Sequence, residues 1–135
     1  MPLLTRWFLR TALVYLILAL CAGVLLALPE TTPMAGMFPV YFHLLTFGWL
    51  TQLIFGIALW MFPKYSPSQP RGPEWLGWST FILLNLGLIL RVFFEPLNSI
   101  SPSPWSGWML VIAAIFQWLS GVTFAANTWK RVREK

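Results

Sequence analysis

Four long stretches of this chain carry almost no charge, and each is bounded by proline, glycine or ionisable residues. Thr11 to Leu28, Val40 to Phe62, Trp75 to Leu90 and Pro104 to Trp129 are each long enough, or nearly so, to cross a hydrocarbon layer of about 30 Å as a helix rising 1.5 Å per residue. With 58% hydrophobic and only 10% charged residues, the 135-residue chain has too little polar surface to fold in water. Four spans use up most of its length, so the expectation is a single integral membrane domain over residues 1–135. It is all-α, a bundle of four transmembrane helices at about 7–28, 40–62, 74–94 and 104–129.

The punctuation supports these boundaries. The first helix follows Arg6 and Arg10. Its basic start and apolar body also fit a signal peptide, and Leu18-Ala19-Leu20-Cys21 has a lipoprotein flavour, but Leu20 is bulky where processing requires a small residue. The segment is therefore read as a retained anchor. Pro29 to Pro39 and Tyr65 to Pro73 have the composition of loops. Pro73-Glu74 opens the third helix, since proline needs no donor in the first turn and an acid suits the positive helix end. Glu95-Pro96 is expected to close that helix, with a loop from Leu97 to Ser103 before Pro104 opens the fourth.

Basic residues set the expected orientation. Arg6 and Arg10, Lys64 and Arg71, and Lys130, Arg131, Arg133 and Lys135 make eight of the nine on one side, and the first and third loops hold none. The positive-inside rule makes that side cytoplasmic, with both termini inside a multi-pass protein of the cytoplasmic membrane. Trp75, Trp78, Trp105, Trp108 and Trp129 lie near helix ends, where interfacial tryptophans belong. The net charge of +5 thus reflects orientation in a bilayer, and nucleic acid is not an expected partner.

One cysteine and one histidine leave few routes to chemistry, and there is no phosphate-binding loop, serine triad, paired-acid site or multi-His metal motif. Cys21 lies in an apolar run and reads as core. His43 lies about one turn into the second helix, at a depth where an ionisable group is uncommon and often functional. Equally, it reads as a neutral imidazole bonded to a neighbouring helix or snorkelling to the interface. At about 100° per residue, His43, Phe47, Leu50, Ile54 and Ile57 form one apolar strip, while Gly48, Gln52 and Gly56 face the other way as a close-packing surface. A flat macrocycle held by an axial nitrogen suits such a strip, as do lipid or another helix.

Arg91 is the one basic residue inside a span, five residues before Pro96, as His43 is five after Phe38. Both therefore belong to one outer layer. Gly77, Thr80, Leu84, Gly87 and Arg91 share a face of the third helix expected to pack inside protein. An arginine there needs anionic partners, either heme propionates or Glu95 four residues on. Asn85, Gln117, Thr123 and Asn127 read as bonds between helices.

The run from Tyr41 through His43, Phe47, Gly48 and Leu50 to Ile54, Gly56 and the closing Met61-Phe62-Pro63 resembles the second helix of the catalytic subunit of heme-copper oxidases and nitric oxide reductases, and of the related NnrS-like heme membrane proteins. The resemblance covers about 25 residues. It implies that His43 is an axial ligand of a low-spin b-type heme and that Arg91 meets its propionates, and the apolar strip through Phe47, Leu50 and Ile54 is then expected to line that heme. With no other histidine the chain lacks the ligands for copper or for an oxygen-reducing heme, so oxygen or nitric oxide reduction is not expected. Electron transfer or heme or redox sensing is, with a redox partner protein or a quinone. A bis-His site needs two chains, so a homodimer sharing one heme is expected, unless Met34, Met37, Met109 or no protein atom is the sixth ligand. The rival expectation is a cofactor-free accessory subunit of a larger membrane complex.

Overall fold

The computed structural model describes residues 1–29 and 36–132. Among them are four long helices, α1 (Leu3–Ala27), α2 (Met37–Met61), α3 (Glu74–Ile100) and α4 (Pro104–Thr128), each long and apolar enough to cross a membrane. The all-α, four-helix architecture read from the sequence is therefore present. α2 packs along α1, α4 packs on α3, and the two pairs join mainly through α2 and α3.

Small residues set the close contacts. Gly48 lies against Tyr15 of α1 and Leu88 of α3, and Gly56 against Phe8. Gly87 lets α3 approach the backbone carbonyl of Ala113 on α4, which a β-carbon there would meet at 2.8 Å. Gly77, Thr80, Leu84 and Gly87 are all buried, as their shared face requires.

Polar side chains bridge the same seams. The Gln52 Oε1 accepts from Thr11 Oγ1 and Asn85 Nδ2, both at 2.9 Å, while Tyr15 donates to Asn85 Oδ1. On the other pair, Ser120 donates to the Thr80 carbonyl and the Thr80 and Thr123 hydroxyls are 2.9 Å apart. In a bilayer such bonds replace those that water would make, so each ties two helices together.

Several local features depart from the sequence reading: α1 begins at Leu3 rather than at about residue 7, and Cys21, read as core, is exposed. Pro96 does not end α3, which continues to Ile100 and leaves a connection of only Ser101 to Ser103 before the Ser103–Ser106 capping box of α4. Proline is tolerated inside a helix that is not solvated by water, because neighbouring groups can take over the freed carbonyl. α2 also begins three residues earlier than expected, at Met37, and widens to a π-helix over Leu44–Thr51. The α-helical pitch behind the His43 strip therefore does not hold over those eight residues.

Candidate functional site

His43 is the last residue before the π-helical stretch. Its Nδ1 lies 2.8 Å from the carbonyl oxygen of Pro39, one turn back. A carbonyl only accepts, so Nδ1 carries a proton, and in the neutral ring Nε2 is left as a lone-pair donor with no partner among the described residues. The Pro39 carbonyl thereby orients the imidazole from within the same helix. The His43 and Phe47 rings stack at 5.8 Å with 16° between their planes.

Beyond Phe47 the strip is uncovered by the chain's own helices. Leu50 and Ile54 are 48% and 53% exposed. The five residues of the expected strip thus remain on an accessible side of α2 despite the change of pitch, with His43 and Phe47 half-buried and the rest open.

Phe47 also forms one wall of a lipid-facing groove of about 520 Å³, whose other wall is α4. Ala114, Gly121 and Ala125 make that wall shallow, and Gln117 and Trp118 edge it. Gln117 is 8% exposed and its Nε2 is buried without a partner among the described residues, while its Oε1 accepts from Arg91 Nε at 3.1 Å. Turning the amide over would set two donors face to face, so Arg91 fixes it with the NH2 free. Arg91 Nη1 meanwhile pairs with Glu95 Oε1 at 2.6 Å.

Arg91 is therefore already neutralised, by the intrahelical acid that was one of its two expected partners. Its depth relative to His43 cannot be counted from Pro96 as a helix end, because α3 runs on past that residue. Gly36 abuts the Glu95 carbonyl and the Ser99 hydroxyl. His43, seven residues from Gly36, and Arg91, four to eight from that contact, lie within about one turn of each other in depth. The link between them runs through Phe47 and the Gln117 groove, and no hydrogen bond joins them among the described residues.

Of the alternative iron ligands, Met37 packs against the core cluster of Ala19, Val40, Leu44 and Leu88, and Met34 lies outside the described residues. Gln52 and Asn85 are structural, bonded across helices as expected.

A residue the sequence reading passed over governs the opposite end. Arg131, counted only as part of a basic tail, is 2% exposed. Its Nη2 donates to the Leu59 and Phe62 carbonyls at 3.0 and 2.9 Å, Nε to Pro63 at 2.9 Å and Nη1 to Arg71 at 3.5 Å. The guanidinium thus closes the carboxyl-terminal end of α2, where unsatisfied carbonyls carry partial negative charge. Burial, and then the Arg71 charge, push its pKa below the usual arginine value. No nearby sequence signal marks it, because its acceptors lie about 60 to 72 residues away.

No protein-family model, curated protein or solved structure matches the chain.

Proposed function

We propose that this four-helix membrane protein binds a b-type heme through His43, as an electron-transfer or heme- or redox-sensing protein. The observation that carries the reading is the imidazole, with Nδ1 tied to the Pro39 carbonyl and Nε2 without a partner among the described residues, at the head of an apolar, accessible strip. An outer hydrogen bond on the second nitrogen is what fixes the tautomer and orientation of metal-ligating histidines. Phe47, Leu50 and Ile54 supply the dry surface that a macrocycle needs. Arg91 and the free Gln117 NH2 together fit a propionate, which would exchange one carboxylate, that of Glu95, for another. Bound heme supplies reversible one-electron chemistry at the iron, and the chain's own contribution is the ligand, the dry wall and the peripheral charge.

Because the strip is not covered by the chain's own helices and each chain has one histidine, the site is shared in a homodimer, one His43 from each copy. In the cytoplasmic membrane both termini and the Lys64 to Pro73 loop face the cytoplasm, following the basic residues. Purification in detergent gives the test: a Soret band, a bis-His spectrum and one heme per two chains. A colourless protein purified from heme-replete cells rejects the cofactor. One heme per chain with a five-coordinate or Met-ligated spectrum rejects the sharing. Outside labelling of a Ser68→Cys variant, with Cys21 replaced, in intact cells would reverse the orientation.

A second reading is a cofactor-free subunit of a larger assembly. It rests on α4, where a β-carbon added at Gly107 or Gly121 would have nothing within 4 Å, unlike the close-packed glycines of α2 and α3. Small residues left open on a membrane helix suit another helix. The same spectrum separates the two.

A further inference from the structure

At the Arg131 end, the first turns of α1 and α3 and the last turns of α2 and α4 converge on a cavity of about 210 Å³. Leu3, Leu4, Thr5, Arg71, Glu74 and Asn127 are among the residues lining it. Each helix start leaves backbone N–H groups without partners. In α1 the first bonded amide is Arg6, to Pro2, and in α3 it is Leu76, to Pro73, so the amides of Leu3, Leu4, Thr5, Glu74 and Trp75 have no acceptor among the described residues. Two positive helix ends therefore meet in one place.

Two deeply buried side chains in the wall point to a missing ligand. Thr5 is 1% exposed and Asn127 3% exposed, and neither side chain makes a hydrogen bond among the described residues. The Asn127 Oδ1 is packed over Gly72, whose φ of +75° and lack of a β-carbon make room for it, and Nδ2 lies on the side of Gly77, which also lines the cavity. Arg71 forms no ion pair among the described residues. Its charge is felt by Arg131, whose own guanidinium is spent on carbonyls. Against these donors stand the exposed Glu74 carboxylate, the carboxyl-terminal end of α4 and the Asn127 Oδ1, which is turned toward Gly72.

We infer that this cavity is a phosphate site, held by the paired starts of α1 and α3, Arg71 and the Asn127 amide, with Thr5 as a neutral hydroxyl partner. The group is carried either by the headgroup of an anionic lipid or by a soluble phosphate, since helix starts and a guanidinium recognise both alike. The site is independent of His43 and of heme.

Thermal unfolding of the full chain in a neutral detergent, at constant ionic strength, tests it with three additives: chloride, inorganic phosphate and dioctanoyl phosphatidylglycerol. A ligand of the folded state raises the midpoint in proportion to its occupancy. Phosphate or the phosphatidylglycerol is expected to raise it and chloride is not, and the additive that acts identifies the carrier. Arg71→Gln, on an exposed loop, should weaken the responding ligand by about tenfold, and Asn127→Leu should weaken it too. Glu74→Gln should tighten it, an outcome that a merely structural role for these residues does not produce. A midpoint unmoved by either phosphate compound, or a shift that Arg71→Gln retains in full, overturns the site.

Discussion

The two ends of this molecule each hold an arginine away from water, and they use it in opposite ways. Arg91 meets side chains, the Glu95 carboxylate and the Gln117 amide oxygen, which can rotate, exchange or accept a new neighbour. Arg131 meets four backbone carbonyls, which cannot leave without unwinding the end of α2 or displacing the following loop. Near Arg91 lies bonding capacity unspent among the described residues, in the Nε2 of His43 and the Nε2 of Gln117. One arginine is thus placed where a ligand can replace its partner, and the other serves as a permanent clasp. Position along the chain suggests the reverse, since a basic residue inside a span attracts attention and one in a basic tail does not.

The largest expected effect lies at the first end. His43→Ala should remove heme from the purified protein, read as loss of the Soret band, while the detergent-solubilised bundle keeps its unfolding midpoint, because the imidazole's one described hydrogen bond is to its own helix. An unchanged six-coordinate spectrum in that variant would sink the heme assignment. At the other end, Arg131→Met should lower stability by about 3 kcal/mol, since it strands buried carbonyls at a helix terminus. Reversible unfolding in mixed micelles measures it, and a loss below about 1 kcal/mol would mean that water satisfies those carbonyls in its place.

Two glycines extend the contrast to covered and open surfaces. Gly87→Ala should cost about 2 kcal/mol, because its neighbour is the Ala113 backbone and cannot turn aside. Gly121→Ala, with open space before it, should change the stability of the monomer by less than about 0.5 kcal/mol. A large loss at Gly121 would reveal a partner helix on that face. A small effect is also expected from Arg91→Gln, which should leave apo stability within about 1 kcal/mol, as a pair at i, i+4 contributes little. It should retain heme with a shifted potential or weaker affinity. Equal destabilisation by Arg91→Gln and Arg131→Met would erase the distinction between the two ends.

Much of the fold is legible in sequence because the forces that set it act over short stretches. Gly48, Gln52 and Gly56 can be assigned to a packing face from spacing alone, and Gly48 does meet Tyr15 and Leu88 while Gln52 bonds to Thr11 and Asn85. The partners are another matter: Thr11 and Tyr15 have no distinguishing local pattern, and only the crossing of α1 with α2 and α3 brings them to Gln52 and Asn85. Pro96 misleads because the rule that proline ends helices is learned where water competes for the backbone, and α3 passes through it to Ile100. At the candidate site, His43 and its apolar strip can be picked out by type and spacing. The Pro39 bond that orients the ring, the π-helical stretch beside it and the free NH2 of Gln117 cannot.

The order of residues thus dictated four apolar helices, their approximate limits and the single histidine available for chemistry, because hydrophobic run length, helical period and residue inventory are properties of contiguous segments. The folded bundle alone decided that Arg131 closes α2, that Gln117 holds Arg91, and that the starts of α1 and α3 share a cavity with Asn127. Those contacts join residues 26 to 72 apart in the chain, or wholly different helices. A side chain's partner at such a distance is fixed by how the helices cross, which no local pattern encodes.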